Sequence, residues 1–332
     1  METRAFGKTG LKLSLLGFGC GNVGGLMIRG APEDQERAVA RALEAGVNYF
    51  DTAVQYGNGE SEKNLGRMLK KLKPSGVAVG TKVRLKSAEF KNIADAVTRS
   101  LDGSLQRLQM ERVDILHLHN EITVSGGGET LSAGQVLQEV APAFERLRQA
   151  GKIGHPGITA IGDTAALKEV IDARVFASAQ VVYNMLNPSA AQALPANYPA
   201  HDYGRLFDHT QQAGVGVVGI RVMAGGALSG SSDRHPIASP APPPIGSAAS
   251  YDGDLTRAQR LMPLVKEGFA ADLPEAAVRF AISHPAMGTI LVGMATPLQF
   301  EAALAAVLKG PLPQAALHRL AELQQGFAGE AR

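Results

Sequence analysis

Cysteine is all but absent from this chain, with Cys20 alone among 332 residues. One thiol excludes an intramolecular disulfide and any cysteine-built zinc cluster, and it fits a reducing compartment. Cys20 itself reads as a small buried apolar residue. Tryptophan is missing and aromatic residues make up only 5%, which argues against a pocket for bulky aromatic ligands and leaves small polar substrates open. No apolar run reaches the ~18 residues of a membrane helix, and Met1-Glu2-Thr3-Arg4 leads into no apolar leader. A dominant sign of charge is lacking too, since 33 Lys and Arg face 31 Asp and Glu for a formal net charge of +2. No basic run suggests a nucleic-acid or membrane surface. The expectation is a cytoplasmic, membrane-free protein acting on a small molecule, with 45% hydrophobic residues to build a large core.

One phrase recurs: an amphipathic segment ending in Ala-Gly, then a short β-branched run. It occurs as Glu44-Ala45-Gly46-Val47, Gln149-Ala150-Gly151-Lys152 and Gln212-Ala213-Gly214-Val215. Glycine just past a helical pattern takes φ > 0 without a Cβ clash, so each phrase marks a helix handing over to a strand. Between these anchors the periodicity predicts strands near 15–18, 47–50, 77–81, 113–118, 153–158, 178–182, 215–219 and 289–292. Helical patterns fall near 33–45, 61–72, 91–108, 133–149, 163–172, 203–213, 272–284 and 297–308. Eight alternating units over residues 1–332 imply the α/β class and a single (β/α)8 TIM barrel domain. An extra C-terminal helix near 313–326 is expected on its outer surface.

A doubly wound sheet is the structural alternative. The glycine string Gly19-Cys20-Gly21-Asn22-Val23-Gly24-Gly25 is set aside as its fingerprint because its glycine spacing reads as wrong and no helix is expected to start there. Two irregular stretches, 187–203 and 229–253, follow strands on the side where a barrel builds its active site, giving long loops at the C-terminal mouth. The second holds four prolines between Ser239 and Pro244, and reads either as a lid or as a disordered insertion.

Three successive strands end in ionisable residues. Asp51 and Tyr56 follow the second, Lys82 the third and His119 the fourth, and on a barrel such residues converge at one mouth. A Tyr hydroxyl with pKa ~10 transfers protons poorly at neutral pH, but an adjacent ammonium lowers that value. Asp51 can hold Lys82 charged beside Tyr56, while His119 can donate a hydrogen bond to a carbonyl oxygen being reduced. The set suits protonation of a nascent alkoxide. His117 shares the strand side of His119 but reads as a hydrogen-bonded core residue, since no further metal ligand is evident.

Asp51-Thr52-Ala53 followed by Tyr56-Gly57, Ser61-Glu62 and Leu65-Gly66, then Gly80-Thr81-Lys82, then Val113-Asp114-Ile115-Leu116 leading to His119, resembles in order the motifs of the aldo-keto reductase superfamily. The resemblance covers most of the chain. It implies Tyr56 as general acid/base, Lys82 and Asp51 tuning it, and His119 orienting substrate. It also implies NADP(H) or NAD(H) as cofactor. Where the family has a Ser-Asn pair for the nicotinamide carboxamide, this chain has Thr159-Ala160, and Gln180 matches the family's glutamine at the same ring. The family's stacking aromatic is replaced by Ile220, with Arg221 beside the pyrophosphate region. Gly293, Met294 and Gln299 match the segment for the adenosine end. NADP-specific relatives carry Lys or Arg there, so the uncharged Gly293-Met294-Ala295 favours NAD. The spelling is nearest the branch of L-galactose and related aldose dehydrogenases, implying a carbonyl or sugar substrate.

Two other classes stay open from the residues. Lys82 could be the Schiff-base nucleophile of an aldolase-type lyase, or the barrel could be a cofactor-binding regulatory module with little turnover.

Overall fold

The computed structural model describes residues 1–330. Eight parallel strands close into a barrel in chain order: β1 Leu16–Gly19, β2 Tyr49–Asp51, β3 Ala78–Val83, β4 Val113–Leu118, β5 Ile153–Ala160, β6 Ser178–Val182, β7 Gly216–Ile220 and β8 Met287–Gly293. β8 pairs back onto β1 through Ile290 and Leu16, so no edge remains. Helices alternate with these strands on the outside, and all eight expected βα units are present. The Ala-Gly phrases end helices as anticipated, with Gly46, Gly151 and Gly214 at φ of 82°, 74° and 66°. Helix starts are equally local: Asn92, Asp272 and Thr296 each accept a hydrogen bond from a backbone N–H of the first turn. The helix expected over 133–149 is present but passes through a π turn, Val136–Val140, just before Pro142, where proline cannot donate to the ladder.

Alternation decides what lies inside the barrel. Tyr49 and Asp51 point inward from β2 while Phe50 joins the outer core. Tyr49 lies across the interior, and only glycine fits opposite it: a Cβ on Gly80 would collide with its hydroxyl, and one on Gly17 would stand 3.1 Å from its ring. A feature the sequence reading missed closes the bottom. Thr3–Ala5 and Lys12–Ser14 form an antiparallel hairpin that inserts Phe6 and Leu13 beneath Tyr49, Ala78, Ile115 and Val218. Phe6 sits against Gly216 and Gly288, where a Cβ would meet its ring at 2.7 and 2.6 Å.

Three expectations need correction at the top. Gly19, Gly21 and Gly24 do carry G-x-G-x-x-G spacing, and a short helix, Leu26–Arg29, does start after Gly25. Closure of β1 between β2 and β8, not the spacing, separates this turn from a doubly wound sheet. The 229–253 stretch is an ordered strap rather than a disordered insertion, with a 3₁₀ turn at Pro236–Ala238 and a helix, Tyr251–Gln259, starting inside it. That helix and the short one at Pro263–Lys266 had no counterpart in the sequence reading. The strap is moored on one side by Arg29 Nε donating to Ile237 O at 2.7 Å and on the other by Arg221 Nη1 donating to Pro243 O at 3.1 Å. It meets the 187–203 loop at Gly246, whose carbonyl accepts from Asn187 Nδ2 at 2.6 Å and His201 N at 2.9 Å. The last helix, Gln314–Gln325, packs on the outer surface as expected, and Gln324 donates to Met185 O after β6 at 2.7 Å. No helix among the described residues is long and apolar enough to cross a membrane.

Candidate active site

Asp51, Tyr56, Lys82 and His119 come together at the C-terminal mouth. Asp51 and Lys82 project inward from adjacent strands and form an ion pair with side chains only 3% and 0% exposed. Lys82 Nζ also donates to Thr52 O at 2.9 Å. The second carboxylate oxygen of Asp51 accepts from Gln180 Nε2 at 2.6 Å and from the Tyr49 hydroxyl at 3.0 Å. The ammonium lies 4.7 Å from the centroid of the Tyr56 ring, and the Tyr56 and His119 rings meet edge to face at 6.0 Å and 89°.

The charges settle as burial and neighbours dictate. Burial alone pulls Lys82 down, but Asp51 and Tyr56 together carry its pKa above the ordinary lysine value, so it is an ammonium. Burial pushes Tyr56 up and outweighs the opposing pull of Lys82. The expectation of a lowered Tyr56 value is thereby corrected: Lys82 does act in the lowering direction, against a larger desolvation cost. Burial, with Lys82 and then Arg84 nearby, holds His119 down at about 3, so its imidazole is neutral. His117 is driven well below its usual range by burial and shares a hydrogen bond of 2.9 Å with Ser178. No group of metal-ligating side chains occurs among the described residues.

Two residues that sequence reasoning passed over fix the loop carrying Tyr56. Asn22 straddles it, donating from Nδ2 to Gln55 O at 3.3 Å and accepting at Oδ1 from Gly57 N at 3.1 Å. The Gln55 side chain reaches His119, with Oε1 3.1 Å from Nδ1. An amide directly before the tetrad tyrosine was the available signal for Gln55. Asn22 comes from another strand's loop and gave none.

The cofactor-side residues divide. Thr159 is the penultimate residue of β5, beside Gln180, its register partner, and its hydroxyl is buried with no hydrogen-bond partner. A buried orphan hydroxyl fits a polar ligand atom that completes it. Gln180 is spent on Asp51, tying β6 to the tetrad. Ile220 is partly exposed at the end of β7. Arg221 follows with a left-handed φ of 57°, its carbonyl held by Asn184 Nδ2 at 2.9 Å. Its pKa is lowered, chiefly by burial, and no carboxylate among the described residues pairs with it. At the β8 end Gly293 is exposed. The Met294 side chain lies in the hydrophobic core and its carbonyl accepts from Leu26 N at 3.1 Å. Gln299 closes the turn, accepting from Ala295 N at 2.6 Å. Nearby cations have partners of their own: Arg29 on the strap, and Arg41 on Glu301 at 2.8 Å.

A profile described as Aldo/keto reductase family matches residues 15–325. The chain is 31% identical over 315 residues to L-galactose dehydrogenase of Arabidopsis thaliana, covering 92% of this chain and 88% of that protein. It is 26% identical over 341 residues to pyridoxal 4-dehydrogenase of Microbacterium luteolum, covering 90% and 91%. An aldo-keto reductase of Bacillus halodurans, solved in holo form, superposes with a TM-score of 0.71 at 26% identity, covering 97% of this chain and 96% of that one.

Proposed function

The chain belongs to the aldo/keto reductase family and is an oxidoreductase of carbonyl and alcohol groups, and from that premise we propose that it is an NAD-dependent dehydrogenase of a sugar-like alcohol with Tyr56 as general acid/base. The observation that carries this reading is the buried Lys82–Asp51 pair set under Tyr56. Lys82 is held charged by its partners, so its field lowers the cost of a Tyr56 phenolate, the form that receives a hydroxyl proton. In the opposite direction the same hydroxyl protonates the alkoxide. Asp51, Gln180 and Tyr49 serve the pair by fixing its geometry. A nicotinamide nucleotide, when bound, supplies the hydride acceptor. The residues to hold it are Thr159 at the carboxamide, Ile220 at the ring, the Arg221 guanidinium at the pyrophosphate, and Gly293 with Gln299 at the adenosine end.

A lyase using Lys82 as nucleophile loses ground here, because its amine is buried, ion-paired and charged, whereas a Schiff base needs a free neutral amine. The regulatory reading loses ground to the assembled tetrad. The choice of NAD rests on the absence of Lys and Arg over 293–299 and on the partners already taken by Arg29 and Arg41. The sugar-like substrate is supported by the relative named L-galactose dehydrogenase. The test is Tyr56→Phe, assayed for cofactor binding and for turnover across sugars and aldehydes. Binding near wild type with turnover down by a factor of about 10² or more is expected; turnover like wild type would sink the reading.

A further inference from the structure

A cavity of about 260 Å³ lies outside the barrel wall, between the helices Leu273–Ser283 and Gln314–Gln325 and the segment that follows β6. No residue of the tetrad or of the strap lines it. Its walls are apolar, with Phe280, Leu317 and Leu320 among them, and the Phe280 ring stacks on that of Tyr183 with centroids 4.7 Å apart. Three polar groups lining the same cavity are left short of hydrogen bonds. Tyr183 is only 5% exposed, and its hydroxyl, kept protonated by burial, has no hydrogen-bond partner among the described residues. Gln324 is buried and donates from Nε2 to Met185 O at 2.7 Å. A carbonyl only accepts, so that end of the amide is the nitrogen and Oε1 is left as an acceptor. His284 takes the Ala286 N–H on Nδ1 at 3.2 Å. A backbone N–H only donates, and burial lowers the pKa of the ring, so the neutral imidazole carries its proton on Nε2 as a second donor.

We propose that this cavity is a second binding site, separate from the active site, for a small uncharged ring compound bearing a hydroxyl. A hydroxyl matches the polar set, because its proton suits Gln324 Oε1 and its lone pairs suit the Tyr183 hydroxyl and His284 Nε2–H. Buried polar groups without partners are costly, so a ligand that completes them gains what the fold alone forgoes. No Asp, Glu, Lys or Arg lines the cavity, so a charged ligand would lose its hydration with no counter-ion in return. The volume sets the size, since a dry apolar cavity of about 150 Å³ takes benzene. This one has room for a six-membered ring with its substituent, laid against Phe280, Leu317 and Leu320.

The experiment is a ¹⁹F NMR titration of 4-fluorophenol, which has no carbinol hydrogen to give up as hydride, with the full-length protein at neutral pH. Saturable binding to the wild type is expected, about tenfold tighter than that of 4-fluorobenzoate, whose charge finds no cation there. Tyr183→Phe should weaken 4-fluorophenol about fivefold, the scale of one hydrogen bond. Ala321→Phe brings a ring into the cavity from its exposed rim and should abolish binding. Both variants are expected to keep wild-type turnover, since neither side chain reaches the mouth. No saturable binding to the wild type overturns the proposal. So does binding that both variants leave unchanged, which would put the fluorophenol elsewhere, the active site included.

Discussion

Lys82→Met would delete the ammonium and leave its carboxylate in place. Asp51 is almost inaccessible to water, so its charge has no solvent to return to. Two donors survive, Tyr49 and Gln180, but both address Oδ2, and Oδ1 loses the partner it had in Lys82. Breaking a buried pair from one side costs ~3–5 kcal/mol, and the two surviving hydrogen bonds place this case at the low end, about 3 kcal/mol. At about 2 °C per kcal/mol for a chain of this length, Tm should fall by about 6 °C. Asp51→Asn should cost a similar amount by stranding the ammonium. The double variant, Asp51→Asn with Lys82→Met, removes both charges and should be more stable than the sum of the singles by about 2 kcal/mol or more. Urea unfolding followed by circular dichroism on the four proteins closes this cycle. A Lys82→Met protein within about 0.5 kcal/mol of wild type, the range of a neutral surface change, refutes the reasoning, as does a strictly additive double.

Thr159→Val removes a hydroxyl with no partner in the protein alone, so urea unfolding without cofactor should show stability unchanged or raised, while titration with NAD should show weaker binding by about fivefold; equal affinity removes Thr159 from the cofactor site. NAD and NADP titrated side by side should favour NAD by tenfold or more, and tighter NADP would contradict the reading of 293–299. His119 is held at about 3 when folded against ~6.5 when unfolded. The unfolded chain therefore binds more protons between those values, and stability is greatest above ~6.5 and lost as pH falls toward 3. The urea midpoint should drop between pH 7 and pH 5, and drop less in His119→Gln. An equal drop in both proteins would exclude His119 as a cause.

The legible parts of this molecule are those with local causes. Gly46, Gly151 and Gly214 announced helix ends because a left-handed residue needs only its neighbours to specify it. Asp51, Lys82 and His119 were readable because strand alternation and barrel closure send them to one mouth. The helix Tyr251–Gln259 was not, since its buried face includes Asp254 and Arg257. Those side chains are satisfied by Ser247 at 2.5 Å and the Pro199 carbonyl at 2.9 Å, partners outside the helix, and no apolar stripe advertises them. Gln180 reaching Asp51 crosses from β6 to β2, a contact no sequence window contains. The raised Tyr56 value is likewise a product of burial, which the tetrad's spelling cannot convey. The burial of the Met294 side chain was hidden too, because its motif position specifies a backbone turn and says nothing of where the side chain goes.

The hairpin under the barrel bears on the order of assembly. Phe6 finds its place between Gly216 and Gly288, so about two hundred residues of chain separate it from the first of these partners and more from the second. β1 likewise waits for β8. During synthesis Phe6, Leu13 and the strand after them emerge without the surfaces that will cover them, while the middle of the barrel can already pair strand by strand. Closure is therefore a late event that joins the two ends of the chain. A nascent chain that stalls before β8 leaves an apolar plug and an unpaired strand edge exposed, which makes it a substrate for chaperones until the last strand arrives.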